Sequence, residues 1–515
     1  MKPLFTLLFL LLASSATYVQ GQTKSKDEAI ADSLYESKNY IGAIGNFTKA
    51  INANQKNTKL LVSLLDKRAL AEIDSKFYKD AVKDELAALA INPKYGDSYW
   101  NLGTAYKGAG DYQLAVDNYT KAIPYNTDDK ANLATLYNNR GNAFRKMKKY
   151  KEAINDHTQA IALNSKNTDS HWDRALSYDK NGDYQLAIDD YTTAMFYNQE
   201  DVGDLATLYR DRANMKIKLK QYKEAINDFN TSMKLNPQDG DTYWDRARAY
   251  SRNGDYQLSA NDYTAAMPFF KNDKINLAIL YNNRADNEIS MHQSDKAIAD
   301  ITTAIALNPQ RGYLYRTRAV FHTENGECKA AIDDFTKAME FYKDDKKALS
   351  SLHYDIASNY YILNENQKTL DECTTSIDLE PDYGAPYFLR GKIYLKRLVN
   401  KDLAIKDFNK AIELDTAKKS VGYIFSQLYT GHTALALQLL QQQVLSTPNP
   451  DDVLTHYYNI ACVFSIMNKP EEANIYLKKA IDSGYSKKFA ANDEDFDNIR
   501  KTPDYVALMT DSPSK

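Results

Sequence analysis

The sequence predicts an all-α protein built as an array of repeated helix pairs, and three observations carry that prediction. The segments GDYQLAVDNYTKAI (110–123), GDYQLAIDDYTTAM (182–195) and GDYQLSANDYTAAM (254–267) are near copies, each 72 residues beyond the last. Related copies such as KKYKEAINDHTQAIALN and KQYKEAINDFNTSMKLNP lie between them. Apolar residues recur with helical rather than strand period throughout. Aligned on the small residue of each first helix, the units centre on Ala31, Ala69, Gly103, Gly141, Ala175, Ala213, Ala247, Ala285, Ala319, Ala357 and Gly391, at spacings that alternate between 38 and 34. Two more degenerate units, around Tyr423 and Ala461, bring the expected total to thirteen.

The N-terminus reads as a secretory signal peptide, residues 1–21. Met1-Lys2 is basic, Leu4 to Ala13 is almost continuously apolar, and Val19-Gln20-Gly21 offers small residues for cleavage before Gln22. That apolar run is half of the roughly 20 residues a bilayer span needs, so no stable membrane insertion is expected and the mature chain is placed in the periplasm or medium. Residues 22–27 form a linker and 28–483 the repeats. The longer units carry four extra residues, in NTDDKANLATLY and NQEDVGDLATLY, expected to add a turn at the start of the next first helix. One residue is inserted near Asn400, and residues 484–515 form a capping segment and tail.

A period of 34, two apolar-periodic helices per unit and small residues where they cross resemble the tetratricopeptide repeat family over about residues 28–483. Ala43, Ala81, Ala115 and Ala153 occupy one small position of the second helix, and Ala50, Ala88, Ala122 and Ala160 another. Pro93, Pro237, Pro309 and Pro381 close units, because proline cannot continue a helix. The resemblance implies a right-handed α-solenoid whose stacked pairs share one core, with NDEDFDNIRKTPDYVALM as a short helical cap. Abundant Asn, Lys and Tyr behind a signal peptide match a secreted Bacteroidota-type member.

Internal alignment also exposes a covarying pair. Arg precedes the small residue in eight units (Arg68, Arg140, Arg174, Arg212, Arg246, Arg284, Arg318, Arg390). The same eight carry Asp late in the second helix (Asp84, Asp156, Asp190, Asp228, Asp262, Asp300, Asp334, Asp407). The other units lack both, so the pair is expected to be a charge-assisted bridge clipping the two helices together.

Composition excludes several functions. With 65 Lys plus Arg against 68 Asp plus Glu, the charge of −3 is not that of a nucleic-acid binder. Three Cys, at 328, 373 and 462, indicate neither a disulfide framework nor a thiolate metal cluster, and their thiols are expected in the core. The seven His include no HExxH pair, and no GxSxG elbow or phosphate loop occurs. No catalytic residues, metal or cofactor are expected.

The resemblance places function on the concave face lined by first helices, at the second, fifth, ninth, twelfth and thirteenth positions of each unit. Trp100, Trp172 and Trp244 fall at the fifth position, 72 residues apart. Between residues 97 and 252 these positions hold Lys107, Arg145, Lys146, Lys180, Arg210, Lys218, Arg248 and Arg252 against Asp97, Asp169, Asp179 and Asp241, a local basic excess of four. Asp97, Asp169 and Asp241 are explained as helix-start carboxylates. Asn138, Asn142 and Asn214 add amides that can grip an extended backbone. The expected role is a non-enzymatic scaffold binding a protein or an extended acidic or aromatic peptide. The alternative is a glycan or envelope polymer stacked on the Trp ladder.

Overall fold

The computed structural model describes residues 24–447, 450–485 and 487–510; the expected signal peptide lies outside the described residues. Among these residues the regular elements are helices. Thirteen consecutive pairs run from Lys26–Glu36 with Tyr40–Ala53 to Pro450–Ile466 with Pro470–Asp482, followed by the short helices Lys487–Asn492 and Pro503–Thr510. The chain forms two compact units, the first ending at Phe269 and the second beginning at Phe270. Repeats 1–7 lie in the first and repeats 8–13 in the second.

The 38/34 alternation has the predicted origin. First helices of the longer units, such as Lys130–Lys146 and Val202–Lys218, have 17 residues, whereas Gly96–Ala109, Thr168–Asn181 and Gly240–Asn253 have 14. Each long helix begins one turn earlier relative to its small residue. An Asp cap, or Asn57 for Thr58–Asp74, fixes the start, because the first N–H groups of a helix lack partners in the helix. Asp129 accepts from the N–H groups of Ala131 and Asn132, Asp201 from Gly203 and Asp204, and Asp273 from Ile275 and Asn276.

Tight turns join the two helices of each repeat through one left-handed residue. It is Gly at 110, 182 and 254 (φ 87–91°), but Lys at 76, 148 and 220 (φ 60–63°). Where the helices cross, alanines such as Ala43, Ala69, Ala175 and Ala187 are fully buried. Gly103 is small of necessity: a Cβ there would lie 2.7 Å from the ring of Tyr119. Gly141 leaves the same gap for His157.

All eight Arg–Asp pairs form, each through two parallel hydrogen bonds from Nε and Nη2. Distances are 2.8 and 2.8 Å for Arg140–Asp156, 2.8 and 2.7 Å for Arg212–Asp228, and 2.8 and 3.0 Å for Arg390–Asp407, whose unit carries the inserted residue. The third nitrogen reaches outside the repeat. Nη1 donates to Thr48 from Arg68, to Thr120 from Arg140, to Thr158 from Arg174 and to Thr192 from Arg212, all on the preceding second helix. Tyr rings lie under these guanidiniums, as Tyr137 under Arg140 and Tyr209 under Arg212, at 5.4 Å. One side chain therefore ties three helices and stacks on an aromatic ring, which accounts for part of the unusual tyrosine content. The thiols of Cys328, Cys373 and Cys462 are free and buried.

Candidate functional site

Within the first unit, first helices touch one another across successive repeats: Thr58–Asp74 meets Gly96–Ala109, that helix meets Lys130–Lys146, which in turn meets Thr168–Asn181, and Val202–Lys218 meets Gly240–Asn253. Their free sides form one shared face, and all ten candidate binding residues lie on these helices.

Polar side chains bridge this face from repeat to repeat. Asn138 and Asn142 both donate to the Asp173 carboxylate of the next repeat, at 2.9 and 2.6 Å. Arg145 donates to Asn142 at 2.7 Å and to Asp173 at 3.3 Å. Trp172 donates its indole N–H to Asp211 at 3.2 Å. Arg210 pairs with Asp239 at 2.9 Å, while Asn214 and Arg248 each donate to Asp245 at 2.9 Å. Lys107 donates to Asn139 at 2.8 Å. Trp100 is half-buried against the core cluster that includes Tyr119, Leu136 and Ala143, and Arg252 is exposed.

The sequence reading missed the acids that receive these bonds. Asp173, Asp211 and Asp245 each stand immediately before the bridge arginine, at the sixth position, outside the five positions taken to face the groove. Counting them reduces the local basic excess from four to one. The missed signal was the recurrence of Asn or Asp there, at 139, 173, 211 and 245.

Trp244, Arg210, Asp211, Asn214, Asp241 and Asp245 line an open depression of about 230 Å³. Burial pushes the Asp211 carboxyl up to about 6, against the opposing pull of Arg210 and the Trp172 N–H. The depression therefore combines an aromatic ring, a guanidinium and carboxylates held by bonds to neighbouring repeats, a preorganised polar surface. Three core positions beside the face are polar as well. His157 hydrogen-bonds Asn138 at 2.9 Å, and burial lowers its pKa to about 4. Glu85 and Asp66 lie buried in repeat 2, where Asn101 donates to Asp66; burial first and mutual repulsion second raise the Glu85 carboxyl.

In the second unit the first-helix face is occupied by the chain itself. Residues Asp493–Phe496 lie across repeats 10–13. Tyr458 donates to Asp493 at 2.6 Å, and Arg397 pairs with Glu494 at 2.6 Å. Lys392 and Lys396 both approach Asp495 at 3.3 Å, and Tyr429 donates to it at 3.0 Å. Phe496 is fully buried, edge-on to Tyr458. Ligand atoms of Cys462, Asp493 and Asp495 lie within 4.8 Å of one another. Two ammonium groups already compensate Asp495, and burial pushes the Cys462 thiol well up, so this donor set does not suit a metal ion.

Models described as tetratricopeptide repeat match residues 96–166, 138–195, and 206–239, 385–418 and 456–483. The chain is 33% identical over 100 residues to heat shock protein STI1 of Saccharomyces cerevisiae, covering 19% of this chain and 16% of that protein. It is 26% identical over 419 residues to human tetratricopeptide repeat protein 6, covering 72% and 68%, and 25% identical over 249 residues to human mitochondrial import receptor subunit TOM70, covering 47% and 39%. The first curated relatives are thus spanned over only about a fifth of their length. Among solved structures, a tetratricopeptide repeat protein of Parabacteroides merdae is 22% identical with a TM-score of 0.38, covering 51% of this chain and 98% of that one. The C-terminal part of a tetratricopeptide repeat protein of Cytophaga hutchinsonii is 17% identical with a TM-score of 0.42, covering 48% and 96%. The matches and relatives support the tetratricopeptide repeat family.

Proposed function

We propose that this tetratricopeptide-type chain is a non-enzymatic scaffold that holds an extended segment of a partner protein on the first-helix face of its first unit. The observation that carries the reading is the depression around Trp244, whose polar groups are fixed by bonds from repeat to repeat. Such a surface meets a ligand with little ordering cost, and Trp and Arg are the residue types that most often dominate binding energy. Relatives named as a heat shock protein and an import receptor subunit are consistent with protein binding. Trp100, Trp172 and Trp244, through their ring faces, and Arg252 are assigned to direct contact. Asn138, Asn142, Arg145, Arg210, Asn214 and Arg248 are assigned to shaping the face, since their polar groups are bonded within the protein.

The scaffold is further proposed to act outside the cytoplasm of a Bacteroidota-type cell, on the strength of the apolar run from Leu4 and the small residues before Gln22. No helix of the described residues is long and apolar enough to cross a membrane. N-terminal sequencing of the mature protein tests this: a chain beginning at Gln22 supports it, and an intact Met1 overturns it.

A photo-reactive residue in place of Asn214 tests the binding face, with the same residue in place of Gln185, on a second helix, as control. Irradiation in native envelope extract is expected to cross-link a defined partner segment through position 214 and not through 185. Equal labelling at both positions removes the assignment, and recovery of polysaccharide instead of protein replaces it with the glycan reading.

A further inference from the structure

The acidic segment seated on the second unit shows what this kind of face accepts. Its charges are met by Lys392, Lys396 and Arg397, and its aromatic residue by Tyr458. Lys396 stands five residues after the small residue Gly391 of its repeat. In repeats 4–7 the same register holds Lys146, Lys180, Lys218 and Arg252, five residues after Gly141, Ala175, Ala213 and Ala247.

A basic residue in the last turn of a helix is ordinarily explained by the helix dipole. That explanation applies to every first helix alike, yet repeats 1–3 and 8–10 carry Glu36, Asp74, Gly108, Ser290, Glu324 and Ile362 at this register. The basic run is confined to four successive repeats of one unit. Lys146, Lys218 and Arg252 are exposed, and Lys180, also exposed, pairs among the described residues with the adjacent Asp179 at 2.9 Å. Arg145, next to Lys146, and Arg210 and Arg248, further from their helix ends, are committed to Asp173, Asp239 and Asp245. The cations left for a ligand are therefore the row at the helix ends.

We infer that the first unit takes a partner segment of the same chemistry as Asp493–Phe496, a short run of carboxylates followed by an aromatic residue, with its carboxylates on Lys146, Lys180, Lys218 and Arg252. The inference rests on the reading of this face as a protein-binding surface and adds the sign and register of the ligand. The helix starts, marked by Asp97, Asp169 and Asp241, repel such a segment, so it runs along the opposite edge, where the basic ends lie.

The test uses a fluorescein-labelled peptide of residues 492–498, Asn-Asp-Glu-Asp-Phe-Asp-Asn, with the full mature chain. Fluorescence polarisation is expected to show binding that weakens as salt rises, since exposed charges are screened over about 8 Å at physiological ionic strength. Affinity should fall at least about tenfold in the combined K146S, K180S, K218S and R252S variant, equivalent to about 1.4 kcal/mol. A peptide with its four acids changed to Asn and Gln should lose binding similarly. Failure of the acidic peptide to bind, or equal binding of the neutral one, overturns the inference. Binding lost in W244A but retained by the four-serine variant overturns the acidic assignment and leaves the face standing. Binding indifferent to both variants overturns the face itself.

Discussion

At the scale of single residues, the bridge arginine shows how a buried carboxylate is held in the fold. Asp156 is 2% exposed, and its two oxygens receive two donors from Arg140. Replacing Arg140 by Ala strands that carboxylate, a change that typically costs about 3–5 kcal/mol. The double replacement R140L/D156N copies the natural pair Leu102 and Asn118, whose amide donates to the Leu114 carbonyl at 2.7 Å, and should cost less in urea unfolding. R212A should also cost less than R140A, because Lys216 remains 2.7 Å from Asp228; equal losses in the three variants would contradict the bridge as the source of the effect. His157 gives a pH-dependent counterpart. Burial lowers its pKa in the fold from 6.5 to about 4, so the unfolded chain binds the proton first as pH falls. Its contribution is fully present above the unfolded value and is lost as pH drops from 6.5 toward 4. H157Y, which puts into the gap left by Gly141 the residue that Gly103 already accommodates at Tyr119, should flatten thermal stability across that interval.

At the scale of elements, the sequence was legible wherever a feature repeats. Helix pairs, the added turn and the Arg–Asp clip all recur at fixed offsets, so the chain supplied its own alignment. The links to Thr48, Thr120, Thr158 and Thr192 were missed because the offset from Arg alternates between 20 and 16 residues. The acids of the candidate face were missed because the five groove positions omit the sixth. The docking of Asp493–Phe496 left no periodic trace at all, since it joins Glu494 to Arg397 across 97 residues and to Tyr361 across 133. Turns provide the test at this scale. Lys148 takes a left-handed conformation, φ 61°, that costs a side chain with a Cβ roughly 1–2 kcal/mol, while the equivalent turns at 110, 182 and 254 use Gly. K148G should therefore raise the melting temperature, by a stabilisation of about 1 kcal/mol or less after the added flexibility of the unfolded chain is counted. G182A should lower it, and a K148G chain no more stable than wild type would show that the turn is not strained.

At the scale of the molecule, the 72-residue period makes a strong claim about how the first unit is assembled. If each repeat is stabilised by its own core and by its neighbours, stability is approximately a sum of repeat and interface terms. Deleting residues 130–201 removes repeats 4 and 5 and joins Asp129 directly to Val202. Both Asp129 and the deleted Asp201 cap a long first helix, so the cap is preserved. The deletion also regenerates the bonds between repeats. Arg212 loses Thr192, which it holds at 2.9 Å, but Thr120 arrives in the same register, 72 residues earlier and freed from Arg140. Asp211 loses the indole of Trp172 and gains that of Trp100. The shortened chain should fold with unchanged helicity per residue by circular dichroism, and its transition should weaken by two repeats' worth of stability rather than vanish. It should also bind the acidic peptide more weakly, because Lys146 and Lys180 leave with the deleted repeats and only Lys218 and Arg252 remain. An aggregated product would mean that the repeats are not interchangeable neighbours. A folded product that binds the peptide as tightly as the full chain would separate the array from the charge row and locate the ligand elsewhere on the first unit.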